Sequence, residues 1–266
     1  MTDLYFLKLG GSLITDKDTP NTPRPSVLAR LAQEIAAARA ARPDFQLLIG
    51  HGSGSFGHVA AKKYGTRAGV QTSANWLGFA EVWKSARTLN QIVLEALSQA
   101  GLPVLAFPPS ACVLAQRGSV LRWDLSLIQR ALQSGLLPVL QGDVVFDEIL
   151  GGTILSTEDL FFHLAPQLQP QRILLAGIEP GVWADFPACT QLVPTITPPS
   201  FGNLRSQLRG SASTDVTGGM EAKVERMISL LLRPTQLQIS IFSGLQPGLL
   251  HQALTGSLPG SVLSHS

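Results

Sequence analysis

A strand that breaks into glycines constrains this chain more than any other stretch. Phe45 to Ile49 has the length and composition of a buried strand, and it runs straight into Gly50, Gly52, Gly54 and Gly57, interleaved with Ser53 and Ser55 and flanked by His51 and His58. Without a Cβ, such a loop can bring backbone into contact with a ligand and aim several N–H groups at one anion. Phosphate is the natural guest. Gly52 to Gly57 also satisfies the dinucleotide spacing G-x-G-x-x-G, which demands a following helix, a second strand and an acid about 20 residues on to hold a ribose. The acid in that window, Glu81, falls inside a long helical pattern from about Ser73 to Ala100. A nicotinamide or flavin enzyme is therefore disfavoured, and binding of reduced nicotinamide would revive it.

The same junction recurs along the chain. Tyr5 to Leu9 is a strand carrying Lys8 near its end, followed by Gly10-Gly11-Ser12; a lysine in an apolar strand is expensive unless its ammonium meets an anion. Leu136 to Gln141 ends in Gly142-Asp143, and Thr214 to Gly219 leads into a helix bearing Lys223. Further buried-type strands are expected at Leu102 to Phe107, Arg172 to Ile178 and Leu237 to Phe242, and helices at Ser26 to Ala41 and from Asp124, as N-cap, to Ser134. Val144 to Ser156 reads as a hairpin turning through Gly151-Gly152, and Thr157 as the cap of a helix with Glu158 and Asp159 in its first turn. Thr190 to Thr214, with Arg205 and Arg209, reads as loops and short strands. Strands alternating with helices predict an α/β fold: a three-layer αβα sandwich around a central, mainly parallel sheet. Ligands sit at the carboxyl ends of such strands, where Lys8, the Gly50 to His58 loop, Gly142-Asp143 and Lys223 can converge.

With 266 residues, 45% of them apolar, the chain can bury a large core as one domain or two joined lobes. A net charge of +2, only 14% charged residues and no long basic run point away from nucleic acid and membrane surfaces. Cys112 and Cys189, isolated and without C-x-x-C spacing, suit a reducing compartment. MTDLYFLKLGG has none of the features of a signal peptide, so a cytoplasmic protein is expected.

KLGGSLITDK (8–17), HGSGSFGH (51–58), GDVV (142–145) and DVTGGMEAK (215–223) together resemble the amino acid kinase family, in the family's order and over nearly the whole chain. Within it the resemblance is strongest to members whose acceptor is isopentenyl phosphate. It implies an acceptor-binding lobe (about 1–165), a nucleotide-binding lobe (about 166–266), ATP and Mg²⁺ as cofactors, and a homodimer. Lys8 and Lys223 would then meet the β- and γ-phosphates of ATP, with Lys17 at the transferred group. Gly10, Gly11, Ser12, Gly54 and Gly219 would line the nucleotide phosphates, and no protein ligand for the metal is implied. His58 would bond the acceptor phosphate beside Ser53, Gly57, Gly142 and Asp143. Trp76, Phe79 and Trp83, at helical spacing, are candidates for the wall of the acceptor's tail or simply for a core-facing stripe. Glu158 or Asp159 would orient the active-site lysines where the family has Ser-Gly-Asp-Asp and this chain has Ser-Thr-Glu-Asp. The motif Asp-Val-Asp-Gly-Val-Tyr is here Ile178 to Trp183, IEPGVW.

Two rivals share these residues. One is a kinase of the same family acting on another small phosphate, a phosphonate or a carboxylate, of which a carboxylate kinase would not need His58. A non-catalytic nucleotide-binding protein would not need Lys8, Lys17 and Lys223 together.

Overall fold

A computed structural model of the chain describes residues 3–208, 219–232 and 235–265. Thr214 to Gly218 and Arg209, singled out in the sequence, lie outside them. The first half alternates as expected: β1 (Leu4–Leu9), a single turn α1 (Gly11–Ile14), α2 (Pro25–Ala41), β2 (Gln46–His51), α3 (His58–Tyr64), α4 (Ser73–Gln99) and β3 (Val104–Ala106). Next come α5 (Pro109–Cys112), β4 (Val113–Gln116), β5 (Ser119–Trp123), α6 (Ser126–Gln133), β6 (Leu137–Gln141), β7 (Asp143–Asp147), β8 (Gly151–Leu155) and α7 (Thr157–Leu168). The rest is β9 (Arg172–Gly177), β10 (Val182–Trp183), β11 (Leu192–Val193), β12 (Thr195–Ile196), α8 (Pro198–Leu208), α9 (Gly219–Ile228), β13 (Gln238–Ser243), α10 (Leu249–Thr255) and β14 (Ser261–Leu263).

The main sheet runs β12-β14-β13-β9-β1-β2-β6-β3, parallel from β13 to β3, with β14 antiparallel to β13. Its strands are buried on both faces, so alternate residues feed two cores. Tyr5, Leu7, Leu47, Ile49 and Leu174 face one core, closed by α2, α4 and α10 through Leu31, Ile35, Leu89, Val93 and Leu250. Leu4, Phe6, Leu48, Ile173 and Leu175 face the other, closed by α6, α7 and α9 through Ile128, Phe161, Leu164, Val224 and Met227. The result is the expected three-layer αβα sandwich, with β1 near the centre of its sheet. Among the described residues no helix is long and apolar enough to cross a membrane.

A second sheet, β5-β4-β7-β8, covers one end. Asp147 holds it by accepting N–H bonds from Arg117 (3.1 Å), Gly118 (2.8 Å), Ile149 (2.9 Å) and Leu150 (2.8 Å), so one carboxylate closes the turns of both hairpins. Burial pushes its carboxyl pKa up, and these donors outweigh that and hold it low.

Several boundaries differ from the sequence expectation. The β7–β8 turn is Glu148 to Leu150, and Gly151-Gly152 begin β8 instead. Gly152 is glycine because a Cβ there would come within 2.9 Å of the Phe79 ring. Ser156, not Thr157, caps α7, accepting from Asp159 N while the Asp159 carboxylate accepts from Ser156 N: a capping box. Asp124 precedes the N-cap of α6, Leu125, and accepts from Ser126 N at 2.9 Å. Within Thr190 to Thr214 a helix, α8, forms where loops were expected. Pro198 suits its first turn, and reciprocal bonds join Thr197 and Ser200 at its start.

Candidate active site

The carboxyl ends of β1 and β2 meet through glycine. A Cβ on Gly11 would lie 2.6 Å from Gly54 Cα, which is immovable backbone, and Gly54 itself has φ +51°. Thr15 ties the two turns together, its Oγ1 accepting from Ser55 N at 3.0 Å and donating to Gly11 O at 2.7 Å. Gly54 is therefore a buried spacer under the first turn, whereas the sequence had suggested that it lines the nucleotide phosphates.

Above these turns opens a cavity of about 600 Å³. Lys8, Gly10, Gly11, Ser12, Lys17, Gly219 and Lys223 all border it, bringing together cations from β1, the loop after α1, and α9. Lys8 points to the α7 side of the sheet and is buried, and its Nζ pairs with the carboxylate of Glu158 in the first turn of α7. Burial pushes the Glu158 carboxyl pKa up, but the charges of Lys8 and Lys223 outweigh it and hold the pKa below the ordinary value. Lys8, Glu158 and Lys223 thus form one electrostatic unit with two positive charges and one negative. Asp159 is engaged elsewhere: besides the capping box, it pairs with Arg226 (2.8 Å) and Arg67 (3.5 Å). Glu158, not Asp159, contacts Lys8.

At its other end the cavity is bordered by Ile178, Glu179, Trp183, Phe186 and Cys189, and Trp183 Nε1 donates to Glu179 at 2.9 Å. This is the segment with the variant IEPGVW sequence.

Beside the large cavity lies a narrow second pocket bordered by Ser53, Gly57, His58, Arg67, Gly142 and Asp143, with Ala61, Val82, Ala86 and Ile154 as its apolar lining. Every polar residue expected on the acceptor side is here. Arg67 is the addition that sequence reasoning missed. Its only local signal is a cation between Gly65 and Gly69, which have φ of +61° and +138°. Asp143 is buried, and burial pushes its carboxyl pKa up to about 6 despite N–H donation from Ser110 (3.3 Å) and Val144 (2.9 Å).

The proposed aromatic wall differs from what the structure contains. Trp76, Phe79 and Trp83 do not border the pocket. Trp76 meets Phe79 edge-on and both pack at a tilt against Phe146, and Trp83 lies under the Arg87 guanidinium. Helical spacing puts Val82 and Ala86, one position round from Trp83, on the pocket face. His51 is also structural: fully buried, its pKa lowered by burial, it contacts Asn90 Oδ1 (3.0 Å) and Gly52 O (3.1 Å). An unprotonated ring has one N–H donor, so the Asn90 amide must present its NH₂ to the other nitrogen.

The sequence pattern of the amino acid kinase family matches residues 3–243. The chain belongs to that family. It is 32% identical to an isopentenyl phosphate kinase of Methanocaldococcus jannaschii, covering 99% of both chains. It is 35% identical to one of Methanothermobacter thermautotrophicus, covering 95% of this chain and 96% of that one. A solved isopentenyl phosphate kinase structure aligns with a TM-score of 0.82 at 29% identity, covering 97% of this chain and 99% of the other. A product complex of the Thermoplasma acidophilum isopentenyl phosphate kinase aligns at 0.74 with 21% identity, a likeness of fold alone.

Proposed function

We propose that the protein transfers the γ-phosphoryl group of ATP to the phosphate of isopentenyl phosphate, giving ADP and isopentenyl diphosphate. The observation that carries this reading is the composition of the narrow pocket. It combines His58, Ser53 and the Gly57 backbone with Val82, Ala86 and Ile154, which suits an acceptor that is phosphate at one end and hydrocarbon at the other. An amino acid acceptor would need polar partners where Val82 and Ala86 lie. The sequence relatives named above support the same acceptor.

Phosphoryl transfer needs little covalent help from protein; it needs two polyanions held in line and the charge of the moving group neutralised. The large cavity supplies cations for this. Lys8 and Lys223 would meet the β- and γ-phosphates, Lys17 the group in flight, and the backbone of Gly10, Gly11, Ser12 and Gly219 the remaining oxygens. Glu158 fixes Lys8 without cancelling the site's positive charge. His58 would donate to the acceptor phosphate. Asp143 has its carboxyl pKa raised to about 6, and the negative charge of a phosphate beside it would raise it further, so that it can take up a proton as the acceptor binds. Trp183 and Phe186 would take the adenine end.

Magnesium would enter with ATP and neutralise phosphate charge. Among the described residues no three His, Cys, Asp or Glu side chains gather as a metal site, and Glu158 and Asp159 are committed to cations, so phosphate oxygens would hold the ion. The two lobes, about 1–165 for the acceptor and about 166–266 for the nucleotide, and a cytoplasmic homodimer complete the reading; sedimentation would give the assembly mass.

The test is ATP- and Mg²⁺-dependent turnover of isopentenyl phosphate, dimethylallyl phosphate, glutamate and acetylglutamate. Turnover of the prenyl phosphates is expected. Turnover confined to a carboxylate would assign the protein to another branch of the family, and none on any acceptor would leave a nucleotide-binding protein.

A further inference from the structure

Among the described residues, Arg67 alone borders both the large cavity and the narrow pocket. Its backbone is clamped to the second sheet: Thr153 Oγ1 donates to Arg67 O at 2.9 Å, and Val70 N donates to Leu150 O at 2.8 Å. The side chain is held less tightly. Nη2 lies 3.5 Å from Asp159, a carboxylate that Arg226 already pairs with at 2.8 Å. Nη1 is buried with no hydrogen-bond partner among the described residues. A buried guanidinium donor without an acceptor is costly. Because Arg226 keeps Asp159 paired, Arg67 can leave that carboxylate without stranding a buried charge.

We propose that Arg67 clamps the acceptor phosphate to the transferring phosphoryl group, its two guanidinium nitrogens each meeting an oxygen on a different phosphate. A planar fork of donors suits this, whereas a lysine ammonium would present one point charge. The role rests on the phosphoryl-transfer reading above and adds to it the group that joins its two sites. Reaching both anions requires the narrow pocket, about 20 Å³ and so no larger than a water molecule, to widen around the acceptor. In doing so it would supply Nη1 with its missing acceptor.

The experiment compares wild-type protein with Arg67→Gln, Arg67→Lys and Arg67→Ala. It measures kcat and KM for ATP and for isopentenyl phosphate, thermal unfolding, and calorimetric binding of isopentenyl phosphate without nucleotide. Arg67→Gln should lower kcat/KM for the acceptor roughly 10²–10³-fold while the KM for ATP moves far less. Arg67→Lys should recover little, and added guanidinium should raise the turnover of Arg67→Ala, a rescue that a merely structural arginine would not show. Acceptor kinetics within about twofold of wild type in Arg67→Gln would overturn the clamp and leave the kinase reading intact. So would parallel losses for both substrates that track lost stability without guanidinium rescue. A wild-type protein that turns over no prenyl phosphate would overturn both.

Discussion

Replacing Glu158 with Gln should destabilise the protein and make that loss reversible by nucleotide. The Lys8 and Glu158 side chains are only 11% and 8% exposed, so their pairing offsets the desolvation of two charges inside the protein. Removing the carboxylate leaves the buried Lys8 ammonium without its ion-pair partner, and breaking a buried pair in this way costs about 3–5 kcal/mol. ATP brings its own negative charge to the same lysines. Denaturant unfolding of wild type and Glu158→Gln, each with and without ATP and Mg²⁺, should therefore show a larger nucleotide-dependent gain in the variant. Turnover should still fall, because Lys8 is no longer held in place. Glu158→Asp keeps the charge but shortens the reach, and should restore most of the stability and less of the turnover. A loss below about 1 kcal/mol for Glu158→Gln would mean that the pair behaves as a solvated surface pair and that Lys8 does not depend on it.

His58→Ala should lower kcat/KM for isopentenyl phosphate by about 10²-fold with little change in the KM for ATP, as steady-state kinetics would report. Asp143 gives a pH signature. Its folded carboxyl, near 6 instead of 3.8, binds a proton more tightly than the unfolded chain does, so stability falls as pH rises through that interval, by about 3 kcal/mol. Asp143→Asn should remove that slope and be more stable than wild type at about pH 8, in unfolding curves taken across pH; an unchanged slope would exclude Asp143 as its source. Gly11→Ala should cost about 1–3 kcal/mol and weaken ATP binding, because its methyl meets the Gly54 backbone; unfolding and nucleotide titration read both. Val82→Phe should fill the apolar lining and impair the acceptor more than ATP, and equal kcat/KM for isopentenyl phosphate in both proteins would exclude Val82 from the tail site.

What the sequence revealed of this site follows from how local each signal is. Buried strands ending in glycine, with Lys8 and His58 beside them, are written within a dozen residues, so the parallel sheet and its loaded carboxyl edge were legible. Packing between distant elements was not. The choice between Glu158 and Asp159 depends on Arg226 and Arg67, which arrive from α9 and from the loop before α4 and occupy Asp159. Gly54 reads like any phosphate-loop glycine until its contact with Gly11 shows it buried. Trp76 and Trp83 drew attention by size, yet the pocket face of α4 belongs to the smaller Val82 and Ala86. The β4–β5 hairpin went unread because its two-residue turn is Arg117-Gly118, both at positive φ and closed by Asp147 about 30 residues downstream, without the Asn-Gly or Asp-Gly that most strongly announces such a turn. Arg67 escaped for the same reason: its meaning lies in bordering two pockets at once.

In the proposed reaction phosphate is transferred to phosphate. Phosphorus NMR of the protein with ATP, Mg²⁺ and isopentenyl phosphate tests it directly. The monophosphate signal should give way to a coupled pair from a new diphosphate as ADP appears in equal amount. A persistent monophosphate signal, whether ATP is untouched or hydrolysed to free phosphate, would contradict it.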